Sequence, residues 1–415
     1  MGRALMTRAS PLPRTLWLLL AARTVNRLGA FSVSFLTVLI STDFRAGVET
    51  AGLVTAAFGL ATIPSRLIGG RLADRMGRRR TIVLGLTGCA AAQLGIAAAQ
   101  SLAQVTTCAV LLGLAFELYE PPSQAIIADS VGPAERVRAY SLLNASLALG
   151  GMGAGLLAVA LGRWGLRWLF VADAVSCLVC AVVMRATLPG DPRRLGRTSA
   201  GEVGEVGEVG GAVGDAVEVR PWRDRRLLVL LGFGTLYALV YLVVMMGLPL
   251  SLARRGMAPA DAGVLFTASA ATVVATQPLL RLKRLTELSA PAAPALGYLL
   301  LGTGLAGYAV AHAPAASLAA TVVWSLGDLL MLGYAYALAA SLAPPGGIGR
   351  YLAVYGISWG IAGVAAPIVG TQLLERGGPV ALWSTMAVLC LALALGQLLV
   401  ARVVVGRQQV RVSGR

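Results

Sequence analysis

Uncharged runs of about twenty residues recur along the whole chain, and they restrict its fold more than any other feature. Between Thr81 and Phe116 there is not one Asp, Glu, Lys, Arg or His. Twenty apolar residues in a helix are long enough to cross a ~30 Å hydrocarbon layer. Reading such runs between charged or turn-forming breaks predicts twelve spans, near 16–40, 50–69, 81–99, 104–127, 139–161, 166–187, 227–251, 261–280, 290–311, 315–340, 351–373 and 379–401. Only 13% of the 415 residues are charged and 57% are hydrophobic, about half the charge fraction of a soluble protein. The expected fold class is therefore an all-α integral membrane protein.

The basic residues orient it. Most of the 35 Lys and Arg fall in the N-terminus, the even-numbered loops and the tail. The other loops hold only Arg45, Arg163, Arg167, Arg254, Arg255 and Arg376. Under the positive-inside rule both termini are cytoplasmic. The net charge of +16 then places arginine-rich loops beside anionic lipid headgroups, and no nucleic-acid partner is expected. The basic, briefly apolar start resembles a signal peptide, but Arg23 and Arg27 follow too closely, so it is read as an uncleaved first span. The five cysteines, including Cys177-x-x-Cys180, all lie in apolar runs and read as small packing residues. Arg-over-Lys usage with abundant Ala, Gly and Val suggests a GC-rich bacterial genome, and a bacterial inner membrane is the expected location.

One long hydrophilic connection, 189–226, carries the repeat "GEVGEVGEVGG", which cannot bury a core and reads as a cytoplasmic linker. It separates an N-terminal six-helix bundle, 1–188, from a C-terminal one with a short cytoplasmic tail, 227–415. Shifting the sequence by 211 positions brings Ser130 onto Ser341, Pro133 onto Pro344, Tyr140 onto Tyr351 and Glu117 onto Asp328. Two pseudo-symmetric six-helix halves are the arrangement expected of a transporter with its site between them.

The stretch "GGRLADRMGRRR" between the second and third runs resembles the loop 2–3 signature of the major facilitator superfamily. Gly70, Asp74, Arg75, Gly77, Arg78, Arg79 and Arg80 fall at the family's positions. The resemblance implies the major facilitator fold and a gating motif whose acid docks against the start of span 11, near Gly349–Tyr351. The corresponding "QPLLRLKRLTE" in the second half is degenerate. More narrowly, "LYEPPSQAIIADSVGPAERVRAYSLLNASLALGG" and the region around Asp328 are similar to bacterial twelve-span drug:proton antiporters. Two positions depart from that pattern: Ala109 stands where a span 4 arginine is expected, and Gly153-Ala154 where Gly-Pro is expected. The resemblance implies a monomeric secondary transporter that exports small organic solutes in exchange for protons. A metabolite or sugar uptake carrier, or a membrane sensor that no longer transports, is the alternative.

Charged groups within spans are costly enough that they usually face a cavity or a partner. Glu117 and Glu120, expected on one helix face, are followed by Pro121 and Pro122, which free the carbonyls of Glu117 and Leu118. This acceptor-rich patch suits proton or cation binding, with Glu117 the stronger coupling candidate. Alternatively, Glu120 makes a structural contact at the helix end. Arg23, Asn26 and Arg27 form a polar stripe that can meet the acids, or Arg23 can snorkel to the surface. Asp173 reads either as a helix-terminal contact or as a transport residue. Tyr119, Trp324, Tyr355 and Trp359, with Tyr334 and Tyr336 further along, are candidate cavity aromatics suited to amphiphilic or cationic solutes. Gly151-x-x-x-Gly155 reads as a close helix contact. No P-loop lysine, zinc-helix motif or Ser/His/Asp set is present. The only histidine, His312, falls in a predicted loop. No cofactor, metal or enzymatic activity is expected.

Overall fold

The computed structural model describes residues 14–29, 31–120, 122, 123, 126, 136–188, 221–277, 292–342 and 348–412. Pro121, Pro133, the repeat of the linker and nearly all of "QPLLRLKRLTE" lie outside the described residues, as do the side chains of Asp74, Tyr334 and Tyr336. Among the described residues, all regular secondary structure is helical. The helices are α1 (Arg14–Gly29), α2 (Leu36–Asp43), α3 (Val48–Met76), α4 (Arg78–Ala98), α5 (Leu102–Phe116), α6 (Arg136–Gly162) and α7 (Arg167–Thr187). After the linker come α8 (Arg225–Arg254), α9 (Ala262–Thr276), α10 (Ala292–Val310), α11 (Pro314–Ser341) and α12 (Ile348–Val412). Nine helical stretches among the described residues are long and apolar enough to cross a membrane, and the 15-residue α5 and Leu149–Gly162 of α6 are shorter apolar helices. The chain is a multi-pass membrane protein.

Two departures from regular spans matter. The first predicted span is not one helix: α1 and α2 are separated by a 3-10 turn, Ser32–Phe35. α12 is 65 residues long, and a straight helix of that length would run about 100 Å, three times the hydrocarbon thickness. It reverses at Gly378, whose φ of 67° is open to glycine but strained for residues with a Cβ. The predicted spans 351–373 and 379–401 are its two arms, and the second continues as helix to Val412.

Helix ends are satisfied by named side chains. Ser101 caps α5 by accepting from Gln104 N at 3.3 Å, while Gln104 Oε1 accepts from Gln100 N at 2.8 Å, a variant of the capping box. Asp224 caps α8 through Arg226 N at 2.9 Å and takes the Tyr351 hydroxyl of α12 at 3.0 Å. At the end of α4, Arg167 Nη1 donates to the carbonyls of Ala97 and Ala99 at 3.1 and 2.7 Å. Its Nε pairs with Asp43 at 2.8 Å. At the end of α10, Arg255 donates to the carbonyls of Ala311 and Tyr308 at 2.6 and 2.7 Å. In both places a guanidinium meets the orphan carbonyls and negative pole of a helix C-terminus.

The buried apolar side chains form two large clusters. One is built from α1 to α5 and α7, the other mainly from α8 to α12. Between these groups, α3 packs on α12, α6 on α9, and α2 on α8. These contacts are made at glycines. A Cβ on Gly59 would collide with the Gly363 carbonyl, and one on Gly155 with the Gly263 carbonyl and Thr267. A Cβ on Gly52 would strike Thr371, and one on Gly162 would strike Ala260. Thr267 also donates to the Met152 carbonyl at 3.1 Å. Phe31 and Phe35, around the α1–α2 break, pack against Phe266 of α9, one tilted and one edge-on, with centroids 5.0 and 6.5 Å away. The contacts of Gly52, Gly155 and Gly162 lie toward the Gly378 end of the helices, where the two groups are packed together.

Candidate functional site

The anomaly at 117–120 begins with the end of α5. The helix stops at Phe116, and Glu117 takes φ −98° and ψ −3°. Glu117 N donates to Ser65 Oγ of α3 at 3.1 Å, and Glu120 N turns back to the Glu117 carbonyl at 3.3 Å. Two expectations are corrected here. The Glu117 carbonyl is not left free, because the tight turn uses it. Nor do the two glutamates share a helix face, because the 3.6-residue period ends before them. Glu117 faces α3, with its carboxylate 3.7 Å from Arg66 Nε. Glu120 faces α1, where Arg23 Nη2 meets it at 2.7 Å. Glycines let neighbouring helices reach this turn: a Cβ on Gly69 would sit 2.6 Å from the Leu118 carbonyl, and one on Gly85 3.1 Å from Leu118 Cβ.

The Arg23–Glu120 pair is enclosed, with side-chain exposures of 11% and 22%. The guanidinium lies over the Tyr119 ring, 5.3 Å from its centroid, and one terminal nitrogen, Nη1, is buried without a hydrogen-bond partner. Tyr119 donates its hydroxyl to Asn26 Oδ1 at 3.3 Å, and Asn26 Nδ2 donates to Cys177 Sγ at 3.3 Å. Arg23, Asn26, Tyr119, Ser123, Cys180 and Met184 line a narrow crevice. A buried pair of this kind is a poor source of net stability, but removing one partner strands the other charge. Arg27, one turn further along α1, is exposed and near enough to Tyr241 of α8 to act on it electrostatically.

In the second group, Asp328 of α11 is 7% exposed and accepts from the Tyr237 hydroxyl at 2.5 Å. Tyr237 and Tyr241, one turn apart on α8, both set an edge against Trp359, with centroids 6.2 and 5.5 Å away. Tyr355 is buried beside Gly234, where an added Cβ would meet its ring. Trp324 corrects an expectation: it is not a cavity aromatic. It is 1% exposed, its indole donates to Tyr308 Oη at 2.8 Å, and its backbone packs against Gly304.

Of the loop motif, Gly77 has φ 92° at the turn between α3 and α4, a conformation glycine adopts without penalty. Gly70 has open space where a Cβ would be, and the glycine that a neighbour presses on is Gly69. Arg75 and Arg80 are exposed, Arg78 and Arg79 half-buried. Sequence reasoning missed Arg66, Tyr237, Tyr241 and Gln93. Tyr237 and Tyr241 carry the same i, i+4 spacing that singled out Tyr355 and Trp359, so a search for aromatic pairs on the seventh run finds them. No group of His, Cys, Asp and Glu capable of holding a metal ion occurs among the described residues.

The chain as a whole is similar to known proteins. The family model described as Major Facilitator Superfamily matches residues 19–367. The MFS-type transporter YhjO of Bacillus subtilis strain 168 is 24% identical over 382 residues, covering 88% of each chain. The multidrug resistance protein MdtH of Aeromonas hydrophila is 26% identical, over 78% of this chain and 79% of its own. Among solved structures, a crystal structure of peptide transporter POT superposes with a TM-score of 0.72 at 17% identity, covering 94% of both chains. A POT family transporter with a thioalcohol conjugated peptide gives 0.74 at 12%, covering 94% of this chain and 96% of its own.

Proposed function

Because this chain belongs to the major facilitator superfamily, we propose that it carries small organic solutes across a bacterial inner membrane by alternating access, exporting them in exchange for protons. The reading takes it as a monomer with twelve spans, the two arms of α12 counted separately. It has two six-helix halves, a cytoplasmic linker and both termini cytoplasmic. The observation that carries it is the enclosed Arg23–Glu120 pair at 2.7 Å. A proton or a cationic solute arriving at Glu120 displaces Arg23, and the pair re-forms when the carboxylate is vacated. Each step therefore trades one positive charge for another and never leaves the carboxylate bare in low dielectric. Asp328, held by Tyr237 beside the Tyr241–Trp359 face, supplies an acid and aromatic surface on the opposite half, suited to amphiphilic or cationic solutes. The relative MdtH, named a multidrug resistance protein, supports the direction.

The test uses proteoliposomes with an imposed pH gradient and an amphiphilic cationic dye, ethidium, as probe. Dye movement driven by the gradient is expected in the wild type, with loss in Glu120→Gln and Asp328→Asn. Gradient-driven movement that survives Glu117→Gln combined with Glu120→Gln would remove the mechanism at its centre.

A further inference from the structure

A further acid, away from the two glutamates and from Asp328, is held by groups from three elements. Asp173, in the second turn of α7, is 2% exposed. Its Oδ2 accepts from Ser32 Oγ at 2.6 Å, and its Oδ1 from Ser176 Oγ at 3.4 Å and Cys177 Sγ at 3.7 Å. The Gln93 side chain of α4 lies beside it as well. Among the described residues, none of the ion pairs involves it. The titratable groups around it are Cys177 on its own helix and Cys89 on α4. Arg23 of α1 is linked to it through Cys177, Asn26 and Tyr119, with Cys180 also lying between Cys177 and Arg23.

An independent observation bears on its protonation. Gln93 is 1% exposed, and its Oε1 is buried with no hydrogen-bond partner. Such orphan acceptors are rare and call for a physical reason. A carboxylate only accepts hydrogen bonds, whereas a carboxylic acid also donates one. Beside the carboxylate, the Gln93 amide oxygen is idle. Once a proton sits on Asp173, a half-turn of the same amide presents Oε1 to the new O–H, and the idle acceptor is used.

We propose that Asp173 is a second proton-binding site of this transporter, with Gln93 as its two-position partner. A proton adds to one carboxylate oxygen, and no other covalent bond forms or breaks. The site is wired to two places. Through Ser32 it holds the 3-10 turn that interrupts the first span. Through Cys177, Asn26 and Tyr119 it reaches the aromatic ring beneath Arg23. The role in coupling rests on the proton-exchange reading above; occupancy by a proton does not.

Infrared difference spectroscopy of the full chain reconstituted in lipid, between alkaline and acidic buffer, reads the C=O stretch of protonated carboxyl groups directly. The expected result is a buried carboxylic-acid band that Asp173→Asn removes while thermal unfolding remains cooperative. Gln93→Leu is expected to keep the band and move it to higher frequency, because the acid has lost its acceptor. Spectra of Asp173→Asn that superpose on wild type, or a Gln93→Leu band that does not move, overturn the proposal. If Asp173→Asn fails to fold, the Gln93→Leu shift decides alone. A band that behaves as expected in a protein showing no gradient-driven ethidium flux supports the proton site and removes the coupling assigned to it.

Discussion

Adding one methyl group at Gly155 should push the two groups of helices apart where α6 packs on α9. The Cβ of Gly155→Ala falls onto the Gly263 carbonyl and Thr267, nearer than any ordinary van der Waals contact, and two of the three atoms it meets are backbone. Rotamer changes cannot relieve that, so α6 and α9 have to separate by roughly 1 Å. Overpacking of this kind costs about 1–3 kcal/mol. At about 2 kcal/mol the balance between closed and open forms moves about thirtyfold, which raises an open form present at 1% to roughly a quarter of the molecules. Spin labels at Arg163→Cys and Ala258→Cys, in a cysteine-free background, report the distance across this end by pulsed electron resonance. Gly155→Ala and Gly263→Ala should each add a longer-distance population. Gly151→Ala is the control, because nothing lies within 4 Å of its added Cβ. It should leave the distances alone and add about 0.5–1 kcal/mol of helix stability. Distance distributions for Gly155→Ala and Gly263→Ala identical to that of Gly151→Ala would refute the argument.

The remaining expectations concern single contacts. Arg167→Ala removes an ion pair and two carbonyl caps; about 2 kcal/mol is expected after allowing for its partial exposure, seen as a lower melting temperature in detergent. An unchanged melt would deny the cap its role. Gly378→Ala places a Cβ at φ 67° and should cost about 1–2 kcal/mol; equal stability would mean that the reversal has another cause. Trp324→Phe loses the bond to Tyr308, costing about 1 kcal/mol, and should leave ethidium flux intact, whereas lost flux in a folded variant would return Trp324 to the solute path. Tyr237→Phe deprives Asp328 of the hydroxyl that holds it, and gradient-driven flux should fall well below wild type. Flux equal to wild type would mean that Asp328 is not oriented by Tyr237.

The long apolar helices were legible because a twenty-residue uncharged run has few other ways to exist in a membrane. The intramembrane acids were legible for the same reason, as costly exceptions. What escaped was decided by distant partners. The break after α1 has no proline to announce it, and Ser32 within it is held by Asp173, 141 residues away. Glu117 and Glu120 were assigned one face because helical periodicity was extended across them. Ser65 takes the Glu117 N–H and the turn redirects both carboxylates, so Arg23 meets Glu120 and Arg66, not a residue of α1, faces Glu117. Trp324 looked available because it lies one turn from Asp328, but a bond to Tyr308 on α10 draws it inward. Gly69 and Gly70 are indistinguishable in sequence; only the position of Leu118 tells which one has a neighbour.

The glycine contacts between α3 and α12, and between α6 and α9, also determine what the junction between the two groups can sense. None of the four ion pairs found among the described residues joins the two groups of helices. The contacts that do join them are carbonyls, methyl groups, aromatic rings and one neutral Thr267 hydrogen bond. Among the described residues, dissolved salt has no ion pair between the two groups to screen, and the glycine contacts themselves hold no group that acid can titrate. Separation of the two groups should proceed equally well in dilute and concentrated salt, and any acidity dependence of the transport cycle must enter through the enclosed carboxylates instead.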